Sequence, residues 1–138
     1  MNNLFEQISK LRFGFTGPSL IEKDIISYQK EMITNGYNYL PDIVINFLKK
    51  YNGFLLENRC LWGINTNQKY KYDILGENNI AENPSPEELT LLGETETTYI
   101  AWQKSTNSYS MIDKSDFSVI HQFDNFQNAV RYILKIDD

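Results

Sequence analysis

The chain has one cysteine and one histidine in 138 residues. A single cysteine excludes an internal disulfide and points to a reducing compartment or to indifference to oxidation. Cys60 and His121 stand about sixty residues apart with no further Cys or His to join them, so a zinc-type centre has no ligand set. No Asp-x-Asp-x-Asp-Gly loop is present to build an all-oxygen cation site. Gly-x-Gly is missing as well, which removes the dinucleotide fingerprint and the phosphate loop. No serine sits in a Gly-x-Ser-x-Gly elbow, and Cys60 falls in Cys-Leu-Trp, where a buried, inert thiol is expected. His121 lies mid-strand without partners and reads as a structural or surface residue. A carboxylate pair across a cleft is the one catalytic arrangement that 18 acidic residues leave open, and Glu87-Glu88 is too ordinary a pair to mark it. No enzymatic activity, metal or cofactor is expected.

Long apolar runs are also missing. The longest, Tyr99 to Trp102, has four residues, far short of a membrane span. Glu6, Lys10 and Arg12 interrupt the N-terminus, which does not read as a signal peptide. The cytoplasm is the expected compartment. Seven glycines and four prolines argue against long disordered tracts.

The most informative absence is of basic charge. Between Lys71 and Lys104 there is no Lys, Arg or His, and the interval holds Asp73, Glu77, Glu82, Glu87, Glu88, Glu94 and Glu96. A phosphate backbone would be repelled, so direct nucleic-acid binding is not expected. A basic protein surface would be attracted and steered inward. Two readings of the stretch stand side by side: a contact surface for a basic partner, or carboxylates that keep a loop solvated. Tyr70 and Tyr72 beside it are aromatic anchors in the first reading and ordinary packing in the second.

What is present suffices for one full-sized core over residues 1–138, with nine tyrosines and eight phenylalanines. Leu4, Phe5, Ile8 and Leu11 mark a first helix over Leu4–Arg12. Ser19 with Glu22 reads as a capping box for a second helix, with Ile21, Ile25, Tyr28 and Met32 as its apolar stripe and Asn35-Gly36 as its stop. Pro41 reads as the first residue of a third helix that buries Val44, Phe47, Leu48 and Tyr51 and ends at Asn52-Gly53. Phe54–Glu57 and Cys60–Ile64 form an expected hairpin turning at Asn58-Arg59, followed by a loop over Asn65–Lys71. Tyr72–Pro86 reads as irregular, with one helical turn near Asp73–Leu75. Strands are expected at Leu89–Leu92, Thr97–Lys104, Tyr109–Ile112 and Phe117–Phe123. Asp124 then caps a last helix that buries Phe126, Val130, Ile133 and Leu134. The order of elements is α+β: an antiparallel or mixed sheet of five to six strands, with N-terminal helices and a C-terminal helix packed against it.

Three stretches carry a family resemblance. Gly36-Tyr37-Asn38-Tyr39-Leu40-Pro41 leads into Phe47-Leu48-Lys49-Lys50-Tyr51-Asn52-Gly53. The next apolar hairpin ends Leu61-Trp62-Gly63-Ile64. Leu91-Leu92-Gly93-Glu94, Tyr99-Ile100-Ala101-Trp102, the Tyr109–Asp113 strand and the Phe126–Leu134 helix follow. From about Ile21 onward the chain resembles the SUKH superfamily of Knr/Smi-type cell-wall regulators, and within it the YrhA-like bacterial branch. The resemblance implies an α+β domain and an immunity protein that binds and neutralises a toxin, such as a nuclease or deaminase. It supplies no catalytic residues and no shared contact residues. Eukaryotic relatives imply the alternative, a non-catalytic regulatory or scaffolding module.

Overall fold

A computed structural model describes residues 2–11, 18–65 and 72–136. Among these residues the chain is α+β, with five helices and one six-stranded antiparallel sheet. The helices are α1 (Asn2–Ile8), α2 (Glu22–Thr34), α3 (Asp42–Lys50), α4 (Ile74–Ile80) and α5 (Phe126–Leu134). The strands are β1 (Phe54–Leu56), β2 (Arg59–Leu61), β3 (Leu89–Glu94), β4 (Thr98–Gln103), β5 (Ser108–Asp113) and β6 (Val119–Phe123). Strand order follows chain order, so the sheet is a meander whose edges are β1 and β6.

Cross-strand partners share a face, and the register separates two of them. Phe54 opposite Leu61, and Trp102 opposite Tyr109 opposite Phe123, form one face. The helices pack there: Phe47 of α3 meets Phe54 and Phe126 with ring centroids 6.3 and 5.6 Å apart, and Tyr109 meets Phe126 at 5.4 Å. The opposite face carries Cys60, Glu94, Tyr99 and Ile112 in register. Trp62 and Phe117 lie against Tyr99 on that side.

The helix stops behave as their sequences require. Asn35 caps α2, Gly36 follows at φ +89°, and Tyr37 N–H donates to the Met32 carbonyl at 2.9 Å. That is the Schellman closure. The starts are shifted from expectation. Ile21 rather than Ser19 precedes α2, without a side-chain cap, and it is 60% exposed instead of belonging to the buried stripe. Pro41 is the residue before α3 and not its first. Asn125, one residue after Asp124, caps α5 by accepting from Asn128 N–H at 2.9 Å. The first hairpin turns at Glu57-Asn58, leaving Arg59 in β2. Leu11 lies beyond the end of α1 and is exposed.

The larger departure is α4, a helix of seven residues where one turn was expected. Gly76, Asn78 and Asn79 are poor helix formers, so tertiary bonds hold it. Asn78 is fully buried and serves as a surrogate strand along the edge of β3: its Nδ2 donates to the Leu91 carbonyl at 2.8 Å and its Oδ1 accepts from Leu91 N–H at 2.9 Å. Asn83 extends the pairing by donating to the Leu89 carbonyl at 2.8 Å. Residue 78 thus lies beside 91 and residue 83 beside 89, which runs α4 antiparallel to β3.

Candidate functional site

The acidic stretch folds along that α4–β3 pairing, and the structure sorts its members. Asp73 leaves the contact surface: it is 1% exposed and caps α4. Its Oδ1 accepts from Tyr28 Oη at 2.8 Å and from Asn65 N–H at 2.9 Å, while Oδ2 accepts from Gly76 N–H at 3.0 Å. Burial pushes the Asp73 carboxyl up, and the three donors pull it back only in part.

The remaining carboxylates form two groups at opposite ends of β3. At the start of the strand lie Glu82, Glu87 and Glu88, the first two exposed. Glu88 Oε1 accepts from Ser105 N–H at 2.8 Å, and the Ser105 bonds keep its carboxyl below the usual range. At the end of the strand lie Glu77, Glu94 and Glu96. Glu96 is exposed and accepts from Asn58 Nδ2 at 3.1 Å. Six residues of strand separate the groups, roughly 20 Å at the usual rise of ~3.3 Å per residue.

The second group is the more structured. Lys114 Nζ lies 3.2 Å from Glu94 Oε1 and 5.2 Å from the centroid of the Tyr99 ring. The interval without a basic residue is therefore not free of basic charge in space, because β5 returns Lys114 to it. Glu77 is half-buried, and its carboxyl is pushed up to about 7 by burial first and then by the charges of Glu94 and Asp73, against the pull of Lys114. Burial, Glu94 and Glu77 likewise push up the Cys60 thiol and the Tyr99 phenol. Cys60 is buried, as its apolar setting requires.

Glu77 lies within the influence of the Glu94 charge, and Glu94 is itself ion-paired to Lys114. The clefts at α2–α3, at α3–α5 and beside Arg59 and Tyr132 lie elsewhere. Among the described residues, no group of three or more His, Cys, Asp or Glu could hold a metal ion. No helix among them is long and apolar enough to cross a membrane.

Of the two tyrosines, Tyr70 lies outside the described residues. Tyr72 is half-buried against the core, with its backbone at φ +62°, which fits packing better than an outward anchor. Sequence reading missed the Glu77–Glu94 coupling and the return of Lys114. The local signal for the first is Asp73, a residue type suited to an N-cap, which starts a helix with Glu77 in its first turn.

Glu77 has a testable consequence. An ordinary glutamate titrates near 4.5 and this one near 7, so the fold penalises its ionised form. Stability from this group is complete below about pH 4.5 and is lost as pH rises through about 7. Glu77→Gln should flatten the decline in melting temperature between about pH 4.5 and 7. At the alkaline end it should stabilise by about 1 kcal/mol, a figure already discounted for solvent screening of a half-exposed group. Parallel melting curves for the two proteins would contradict the assignment.

Searches for relatives find no family model and no curated protein that matches the chain.

Proposed function

We propose that the chain is a SUKH-like immunity protein, acting in the cytoplasm, that binds and neutralises a toxin without catalysis. The observation that carries this reading is the acidic strip along α4 and β3. Its exposed members Glu82, Glu87 and Glu96 sit at both ends of one rigid strand. Among the described residues, Lys114 is the one base ion-paired within it, to Glu94. A toxin that acts on nucleic acid, whether nuclease or deaminase, must hold phosphate on basic side chains. Two clusters of carboxylates, one at each end of β3, compete for that surface, and desolvation at the contact strengthens each pairing. Glu88 and Glu94 contribute charge but are also tied to Ser105 and Lys114. The surface is therefore drawn through Glu82, Glu87 and Glu96, with Glu77, Glu88 and Glu94 behind them.

The experiment is co-expression with the product of the gene neighbouring this chain's own, which this reading expects to be toxic when expressed alone. Growth should be restored by the chain and not by an unrelated acidic domain of similar charge. Continued toxicity in the presence of soluble chain would reject the reading.

A further inference from the structure

The two edges of the sheet are unlike each other. β1 has three residues and adjoins a charged turn, where Glu57 pairs with Lys135 at 3.6 Å. Short strands and charges are the usual protection of an edge against other chains. β6 has five residues, Val-Ile-His-Gln-Phe, and none is Lys, Arg, Asp, Glu or Pro. Four of the five are exposed, with Val119 at 54% and Ile120 at 52%. No strand lies beyond β6 among the described residues. The register shifts between Met111–His121 and Ile112–Val119, which leaves Ile120 without a partner on β5. A bulge often blunts an edge, but this one presents an isoleucine to solvent.

Acids bracket the strand. Asp116 precedes it and Asp124 follows it, both exposed. Asp116 is held in place by Ser118, whose N–H and hydroxyl donate to its Oδ1 at 2.9 and 2.6 Å, and these bonds keep the carboxyl below its ordinary range. Between Lys114 and Arg131 there is no Lys or Arg. A second copy of the chain pairing antiparallel on β6 would bring Asp116 of each copy towards Asp124 of the other. Like charge disfavours that arrangement, and the same charges favour a basic partner.

We infer that β6 receives an extended segment of a partner protein as a seventh strand, uncharged and β-branched at its centre with a Lys or Arg at each end. Backbone N–H and C=O groups on the open side supply the affinity, and the two aspartates select the flanking charge. Five residues of β6 cover roughly 16 Å at the usual strand rise, so the partner's cations should stand about six residues apart. The inference rests on the proposed function only in taking the partner to be a protein, and its test uses no toxin.

The full chain is titrated with a synthetic peptide of alternating Thr and Val ending in Lys at both termini, and with its twin ending in Glu. Amide hydrogen exchange and chemical shifts across β6 are followed by NMR. The Lys-ended peptide should bind saturably and slow exchange of alternate amides in Val119–Phe123 by about tenfold or more, while the Glu-ended twin binds at least about tenfold more weakly. D116N/D124N, which keeps an oxygen to accept from Ser118, should erase the preference between peptides and leave the spectrum folded. No protection of β6 by the Lys-ended peptide, equal protection by both, or protection that grows with chain concentration alone would each overturn the inference. The last result would assign the edge to a second copy.

Discussion

Asp73→Ala should lower the melting temperature by about 10–15 °C, corresponding to about 4 kcal/mol. The carboxylate joins three parts of the chain: the α2 side chain Tyr28, the Asn65 amide, and the first turn of α4 at Gly76. Removing it leaves three buried donors without an acceptor, and each such loss costs about 1–3 kcal/mol. The Tyr28 hydroxyl also accepts from Leu75 N–H at 2.8 Å, so α4 would lose its cap and weaken its tie to α2 in one step. Tyr28→Phe, which keeps the ring and removes the hydroxyl, should cost a smaller share of about 1–2 kcal/mol. A neutral outcome for Asp73→Ala would mean that Asp73 is the solvated acid its sequence context suggests.

Reversing three exposed carboxylates in E82K/E87K/E96K should weaken partner binding by about a hundredfold or more, with the fold retained. The set spares Glu88 and Glu94, which hold Ser105 and Lys114, and gives up one exposed bond, from Asn58 to Glu96, so E82K/E87K alone separates loss of charge from loss of that turn contact. It samples both clusters, which lie roughly 20 Å apart along β3, and so tests whether they engage the partner together. Association should slow more than dissociation quickens at the rim, and the wild-type affinity should fall as salt rises. Unchanged affinity in the triple variant would remove the acidic clusters from the interface and leave the open β6 edge as the partner-facing surface.

Local pattern was a good guide where local chemistry decides structure. Strands β3 to β6 are legible as short runs rich in Leu, Ile, Val and aromatic residues between clear turns, and Asn107 in one turn takes φ +45°. Asn-Gly pairs ended two helices because only such residues adopt the left-handed backbone cheaply. Helix starts slipped by one or two residues wherever several capping side chains stood together, as at Asp124-Asn125. Helix α4 was hidden because its support is distant: Asn78 bonds to Leu91 and Asp73 to Tyr28, 13 and 45 residues away. No period within the segment reports such bonds.

The same reason governs the site. A stretch without Lys or Arg in sequence met Lys114 in space, 20 residues from Glu94, and one of its seven acids turned inward as a cap. The openness of β6 had a faint sequence signal, adjacent Val119 and Ile120 in an uncharged strand bracketed by aspartates. Its position at the edge came only with the strand order.

The central claim is that this chain acts by binding and not by catalysis, and a stoichiometric titration tests it most directly. A fixed amount of the toxin identified by that co-expression is assayed for activity after incubation with increasing amounts of the chain. Binding predicts a linear fall to a sharp endpoint at one chain per toxin, unchanged by longer incubation. Complete loss of toxin activity at a small fraction of that ratio, deepening with time, would contradict the account and direct attention to the Glu77–Glu94 pair.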